Sequence, residues 1–106
     1  MYNTAKKIKI KSIKGIISRY VAEILLNLDE SFLKKAEIWI NAAIEQDRKN
    51  GTTFQLGNDY VIYSRLFKEK RDSSKARKHL KKAIDIFGGC GAKGWVKKYE
   101  RELAEP

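Results

Sequence analysis

Few residues in this 106-residue chain have the type and spacing to do chemistry: a glycine-rich run, one histidine, one cysteine and two nearby glutamates. Gly89-Cys90-Gly91-Ala92-Lys93-Gly94 satisfies the G-x-G-x-x-G spacing that lets backbone amides approach a pyrophosphate. That chemistry needs the glycines between a strand and a helix, inside a strand–helix–strand unit. Here they follow a helical pattern, and no G-K-[ST] offers a phosphate loop, so no nucleotide site is expected. His79 is the only histidine and sits among Lys78, Lys81 and Lys82, with nothing to supply further metal ligands. It is expected to be a surface or interhelical histidine. Cys90 is alone, which excludes an intrachain disulfide and a cysteine metal cluster; as a nucleophile it would need a neighbouring base. Glu100 and Glu102 are two apart on a helical pattern, so they point to different faces and form no acid/base pair. The expectation is a non-enzyme without cofactor or metal.

Charge is the stronger signal. The formal net charge is +10, unevenly placed. Residues 1–22 hold six basic and no acidic residues, residues 23–64 four basic and seven acidic, and residues 65–106 thirteen basic and six acidic. Such asymmetry suits an acidic partner, either a protein or a nucleic acid held through phosphate contacts; the alternative is a solvated lysine-rich surface. The basic front of KKIKIKSIKGIISRYVAEILL resembles a signal peptide only superficially. Arg19 and Glu23 interrupt its apolar part, and no small-residue cleavage site follows. No run reaches the ~20 apolar residues needed to cross a bilayer, and a single cysteine suits a reducing compartment. A soluble, cytoplasmic protein with no membrane partner is expected.

Helices must position these residues. Residues 1–11 form a basic segment in which Ile8 and Ile10 alternate with lysines; no second strand is on offer, so a frayed end leading into a helix is expected. From Ile13 the apolar positions 13, 16, 17, 20, 21, 24, 25 and 28 trace a broad helical stripe. Further helices are expected at about 31–49, 53–70, 73–87 and 93–104, after a first at about 12–28. Capping is expected from the Asp29-Glu30-Ser31 turn, from Thr52 or Thr53, and from Asp72-Ser73-Ser74; Gly51 and Gly88-Gly89 read as stops. Buried faces are expected at Leu33, Ala36, Ile40, Ala43 and Ile44 (with Trp39 a possible member), at Leu56, Tyr60, Tyr63 and Phe67, at Ala76, Leu80, Ala83, Ile84 and Phe87, and at Trp95, Val96, Tyr99 and Leu103.

The chain also repeats itself. Residues 34–44 (KKAEIWINAAI) align with residues 74–84 (SKARKHLKKAI) at a spacing of forty, placing Ala36 on Ala76, Ile40 on Leu80, Ala43 on Ala83 and Ile44 on Ile84. The preceding helices align at forty-two, Val21-Ala22-Glu23-Ile24-Leu25 on Tyr63-Ser64-Arg65-Leu66-Phe67. A period of this size is the mark of stacked helical hairpins. The fold expected is all-α: one domain over residues 12–106, about five helices, two antiparallel hairpins and a C-terminal capping helix.

On these residues the chain resembles the tetratricopeptide class of repeats, in its longer variety of about forty residues. EIWINAAIEQDRKNG, QLGNDYVIYSRLFKEKRDSSKAR and CGAKGWVKKYEREL are similar to the closing repeats of large bacterial signalling proteins, in which an ATPase module, often with an adenylate/guanylate cyclase domain, precedes a repeat array. The likeness spans about residues 16–104. The chain departs from that pattern at Gly88-Gly89 and at the basic Lys93 and Lys97. No ATPase or cyclase motif is present, so none of that chemistry carries over. The resemblance implies a short right-handed superhelix and a scaffold that binds a peptide or another protein on the concave face of its A-helices. Its groove positions fall on Arg19, Glu23 and Leu26 in the first repeat and on Asn58, Val61, Arg65 and Lys68 in the second. Two other functions stay open: nucleic-acid binding by the basic faces, and a structural role in which the end helix self-associates or docks on further repeats.

Overall fold

A computed structural model describes the backbone of residues 2–105 and the side chains of residues 13–105. Five α-helices follow one another: α1 Tyr2–Leu28, α2 Leu33–Asn50, α3 Thr53–Glu69, α4 Ser73–Gly89 and α5 Lys93–Ala104. A single 3-10 turn, Glu30–Phe32, separates the first two. There is no strand among the described residues. Each helix packs on the next, and α1 and α2 together also cover α3. The short connections make consecutive helices antiparallel.

Four helix ends differ from expectation. Helix α1 begins at Tyr2 rather than near residue 12, because nothing before Gly15 breaks a helix and Lys and Ile tolerate one. Neither Asp29 nor Ser31 caps α2, whose entry is made by the Phe32 N–H donating to the Asp29 carbonyl at 3.0 Å. Thr52 likewise gives α3 no side-chain cap; its hydroxyl turns back to Asp47 instead. Helix α4 is capped as expected, with the Asp72 carboxylate accepting from the Lys75 N–H at 3.1 Å. It then runs through Gly88-Gly89, and the left-handed residue that ends it is Gly91, at φ 77°. The glycine-rich run is therefore the turn between α4 and α5, as its lack of a preceding strand implies.

The core runs the length of the stack. Ala36, Ile40, Ala43 and Ile44 of α2 meet Ala22 and Leu26 of α1 on one side and Tyr60, Ile62 and Leu66 of α3 on the other. Ala76, Leu80, Ala83 and Phe87 of α4 repeat the arrangement, with Tyr99 of α5 closing the end. The alanines stand where larger side chains would push helices apart. Trp39, an optional core member by its spacing, is instead exposed. Aromatic rings fill the second half: Phe54 meets Phe87 at 5.5 Å, and Phe87 stacks on Tyr99 at 5.7 Å. His79 is an interhelical residue, stacked on Phe67 at 5.1 Å and packed on Tyr63 at 4.6 Å. Burial, then the charges of Lys78, Lys82 and Lys75, push its pKa below the usual histidine value.

Candidate functional site

Helices α1, α3 and α5 converge on one face and leave a cleft of about 240 Å³. Helix α1 contributes Arg19, Tyr20 and Glu23, helix α3 contributes Asn58, Val61, Ile62 and Arg65, and helix α5 contributes Trp95, Lys98 and Tyr99. The same face of α1 and α3 is presented because the two helices repeat at forty-two residues: Arg19 corresponds to Val61 and Glu23 to Arg65. A neighbouring cleft of about 310 Å³ lies between α3, α4 and the end of α5. It has an apolar floor of Ala76, Leu80 and Leu103, with Arg65, Lys68 and Arg77 on its walls beside Glu102 and Glu105. Arg65 belongs to both clefts.

Of the seven residues placed on the groove by resemblance, Arg19, Glu23, Asn58, Val61 and Arg65 come together in the first cleft, and Arg65 and Lys68 in the second. They are not equally available. Leu26 is buried in the core, and Val61 is buried where it lines the floor. Arg19 is also buried: its Nη1 donates to Gln55 Oε1 at 2.6 Å and lies 3.5 Å from Asp59 Oδ1. Arg65 stands between two carboxylates, 4.0 Å from Glu23 Oε1 and 3.6 Å from Glu102 Oε1. These pairs are half-exposed and screened, so an incoming carboxylate can compete for Arg65. Lys98 lies 5.0 Å above the Trp95 ring and 5.4 Å from Tyr99, a cation held over an aromatic wall. Sequence reasoning assigned Trp95 and Tyr99 to the capping helix alone and missed Lys98 as a cleft residue, because only tertiary packing sets α5 against α3, across the cleft from α1.

Beneath Arg19 lies a feature that no motif announced. Asp47 of α2 and Asp59 of α3 are both fully buried. Burial, a hydrogen bond to Asp47 and the like charge of Asp47 push the Asp59 pKa up from 3.8 to about 9, with Arg19 opposing them more weakly. Asp59 therefore keeps its proton at neutral pH and donates it to Asp47, which also accepts from the Thr52 hydroxyl at 2.8 Å. Apart from that shared proton, neither oxygen of Asp59 has a hydrogen-bond donor. Two carboxyls sharing a proton resemble an acid catalyst, but this pair is closed to solvent and Gly15 seals it from the α1 side. Its evident work is to tie α1, α2 and α3 together. One signal was present in the sequence: at the repeat spacings Asp47 falls on Phe87 and Asp59 on Ile17, two charges at apolar positions.

Comparison with protein-family models, with curated proteins and with solved structures yields no match. No helix among the described residues is long and apolar enough to cross a membrane.

Proposed function

We propose that this protein is a non-catalytic scaffold of the tetratricopeptide type, which binds an extended acidic peptide or a partner's acidic segment on the α1–α3–α5 face. The observation that carries this reading is the character of the cleft: open, walled by Trp95 and Tyr99, and lined by Arg65 and Lys98. Aromatic walls supply contact area at low entropic cost, while the cations fix a carboxylate by charge-assisted hydrogen bonds. Lys68 and Arg77 carry further cations into the next cleft, opposite Glu102 and Glu105, so a peptide of several residues meets a cation in each cleft. Fluorescence anisotropy with a labelled glutamate- and leucine-containing decapeptide, against its lysine-containing counterpart, tests the reading. Only the acidic peptide should bind, and Arg65→Glu should weaken it by about tenfold. Equal affinity in the variant removes the cleft from the account.

A second reading has its own observation. The outer face of α4 presents Arg77, Lys78, Lys81 and Lys82 around a shallow depression, a lattice of cations suited to phosphates. Oligonucleotide binding that falls steeply between about 50 and 200 mM salt would favour it over the peptide cleft.

A further inference from the structure

Helix α1 carries a seam of large apolar side chains turned to solvent: Ile13 is 48 % exposed, Ile17 53 %, Tyr20 54 %, Ile24 59 % and Leu28 63 %. Their spacing of four, three, four and four residues is that of a coiled-coil seam. The repeat explains why the seam is bare. Forty-two residues on, Tyr20 corresponds to Ile62 and Ile24 to Leu66, which are only 5 % and 1 % exposed because α2 and α1 cover that face of α3. On helix α1 the same face is open to solvent.

We infer that a second copy of this chain covers the seam, α1 lying antiparallel against α1 about a two-fold axis. Three observations choose this occupant. The first is area: the seam exposes roughly 500 Å² of apolar surface, taking large side chains at about 150–200 Å² each, so two copies bury about the 1,000 Å² that a specific interface needs. The second is the opposite end of the stack. Lys97, Glu100 and Arg101 lie exposed on α5, so head-to-tail stacking would set charges against isoleucines. Seam meeting seam sets apolar side chains against apolar ones instead. The third is charge: residues 1–22 are basic without an acidic residue, whereas the exposed Asp29 and Glu30 follow the C-terminal end of α1. An antiparallel pair sets each basic half near the other copy's acidic pair, while a parallel pair would set two basic halves side by side.

The two-fold axis crosses between Ser18 and Arg19. Ile13 then lies level with Ile24 of the second copy and Ile17 with Tyr20, so the contact is isologous and closes at two chains. Tyr20 belongs to both the seam and the rim of the α1–α3–α5 cleft, so the second copy forms a wall at the edge of each cleft.

The test is the mass of the full chain by sedimentation equilibrium across about 10 to 200 µM, where dimers respond to concentration. The expected species is twice 12.2 kDa. Ile17→Glu and Ile24→Glu, each checked for helix content by circular dichroism, should raise the dissociation constant at least about tenfold, while Lys97→Glu leaves it unchanged. In a Cys90→Ser background, mild oxidation should join Ile13→Cys chains to Ile24→Cys chains when the two are mixed. It should not join Ile13→Cys chains to each other. If a glutamate variant loses its helical spectrum, the cross-linking decides alone. A single 12.2 kDa species at every concentration, a dimer indifferent to both glutamates, or Ile13→Cys chains joined to one another would overturn the inference.

Discussion

Gly15 and Gly57 occupy the same place in their hairpins, forty-two residues apart, and each lies against the partner helix so closely that a methyl group would collide. What lies opposite them differs. A Cβ on Gly57 would come within 2.7 Å of the Phe87 ring, and one on Gly15 would run into the Asp47 carboxylate. The second hairpin therefore fills the space at this crossing with an aromatic ring, in contact with Phe54, Trp95 and Tyr99. The first fills it with a carboxyl pair, an arginine and a threonine hydroxyl. One backbone arrangement thus accommodates two kinds of interior. An aromatic interior is indifferent to pH and intolerant of lost volume; a proton-sharing interior is the reverse.

The largest effect is expected where volume matters most. Phe87→Ala should lower stability by about 3–5 kcal/mol, read from thermal or urea unfolding, because Phe87 is fully buried and its neighbours are rings that cannot collapse into the space. A smaller loss would mean that the second hairpin tolerates a cavity as the first tolerates a polar cluster.

The carboxyl pair gives the second test. Asp59 holds its proton in the folded state up to about pH 9 but loses it near 3.8 when unfolded. Above pH 3.8 the unfolded chain binds fewer protons than the folded one, so unfolding becomes easier as pH rises. The stabilisation is complete below pH 3.8 and is lost as pH climbs through about 9. Between about pH 5 and 8 a loss on the order of 2 kcal/mol is expected, within the limit of about 1.4 kcal/mol per pH unit for a single proton. Asp59→Asn should flatten that slope while Phe87→Ala leaves it intact. A wild-type midpoint that does not fall between those pH values would place the proton elsewhere.

Much of the fold was legible because the pattern is redundant. The core alanines of α2, Ala36 and Ala43, recur in α4 as Ala76 and Ala83 at a spacing of forty, and the helices between them carry three- and four-residue spacing. The all-α stack of five helices followed from that alone. What stayed hidden depended on side chains meeting across helices. Asp47 and Asp59 belong to no motif, and only burial makes them a pair. Leu26 was placed on a groove by alignment, whereas packing of α2 on α1 draws it into the core, and Val61 lines the cleft floor while buried. The cleft itself needed α5 to fold back against α3, a placement that local periodicity does not encode. The bare seam of α1 was visible as apolar spacing, but spacing cannot tell a covered stripe from an exposed one.

Overpacking should cost less than a cavity. Ala83 is fully buried between α3 and α4, and Ala83→Leu should lower stability by about 1–3 kcal/mol. An unchanged thermal midpoint would undo the register of the second hairpin. The smallest effect comes from the turns that join the helices, where the ends of α2, α3 and α4 use one closure. The residues at 51, 71 and 91 each take the left-handed conformation, at φ 70°, 63° and 77°. In each case the next residue donates back to a carbonyl five residues earlier: Thr52 to Asp47 at 3.0 Å, Asp72 to Phe67 at 2.9 Å and Ala92 to Phe87 at 2.9 Å. Two of the three are glycines, which adopt this conformation without strain, and the third is Arg71. A side chain there costs about 1–2 kcal/mol, of which glycine's greater freedom in the unfolded chain cancels part. Arg71→Gly should therefore raise stability by about 0.5–1 kcal/mol, and Gly51→Arg should lower it by a similar amount. If Arg71→Gly lowers the midpoint instead, the arginine makes a contact in the second hairpin that outweighs its backbone strain, and the three turns are alike in geometry only.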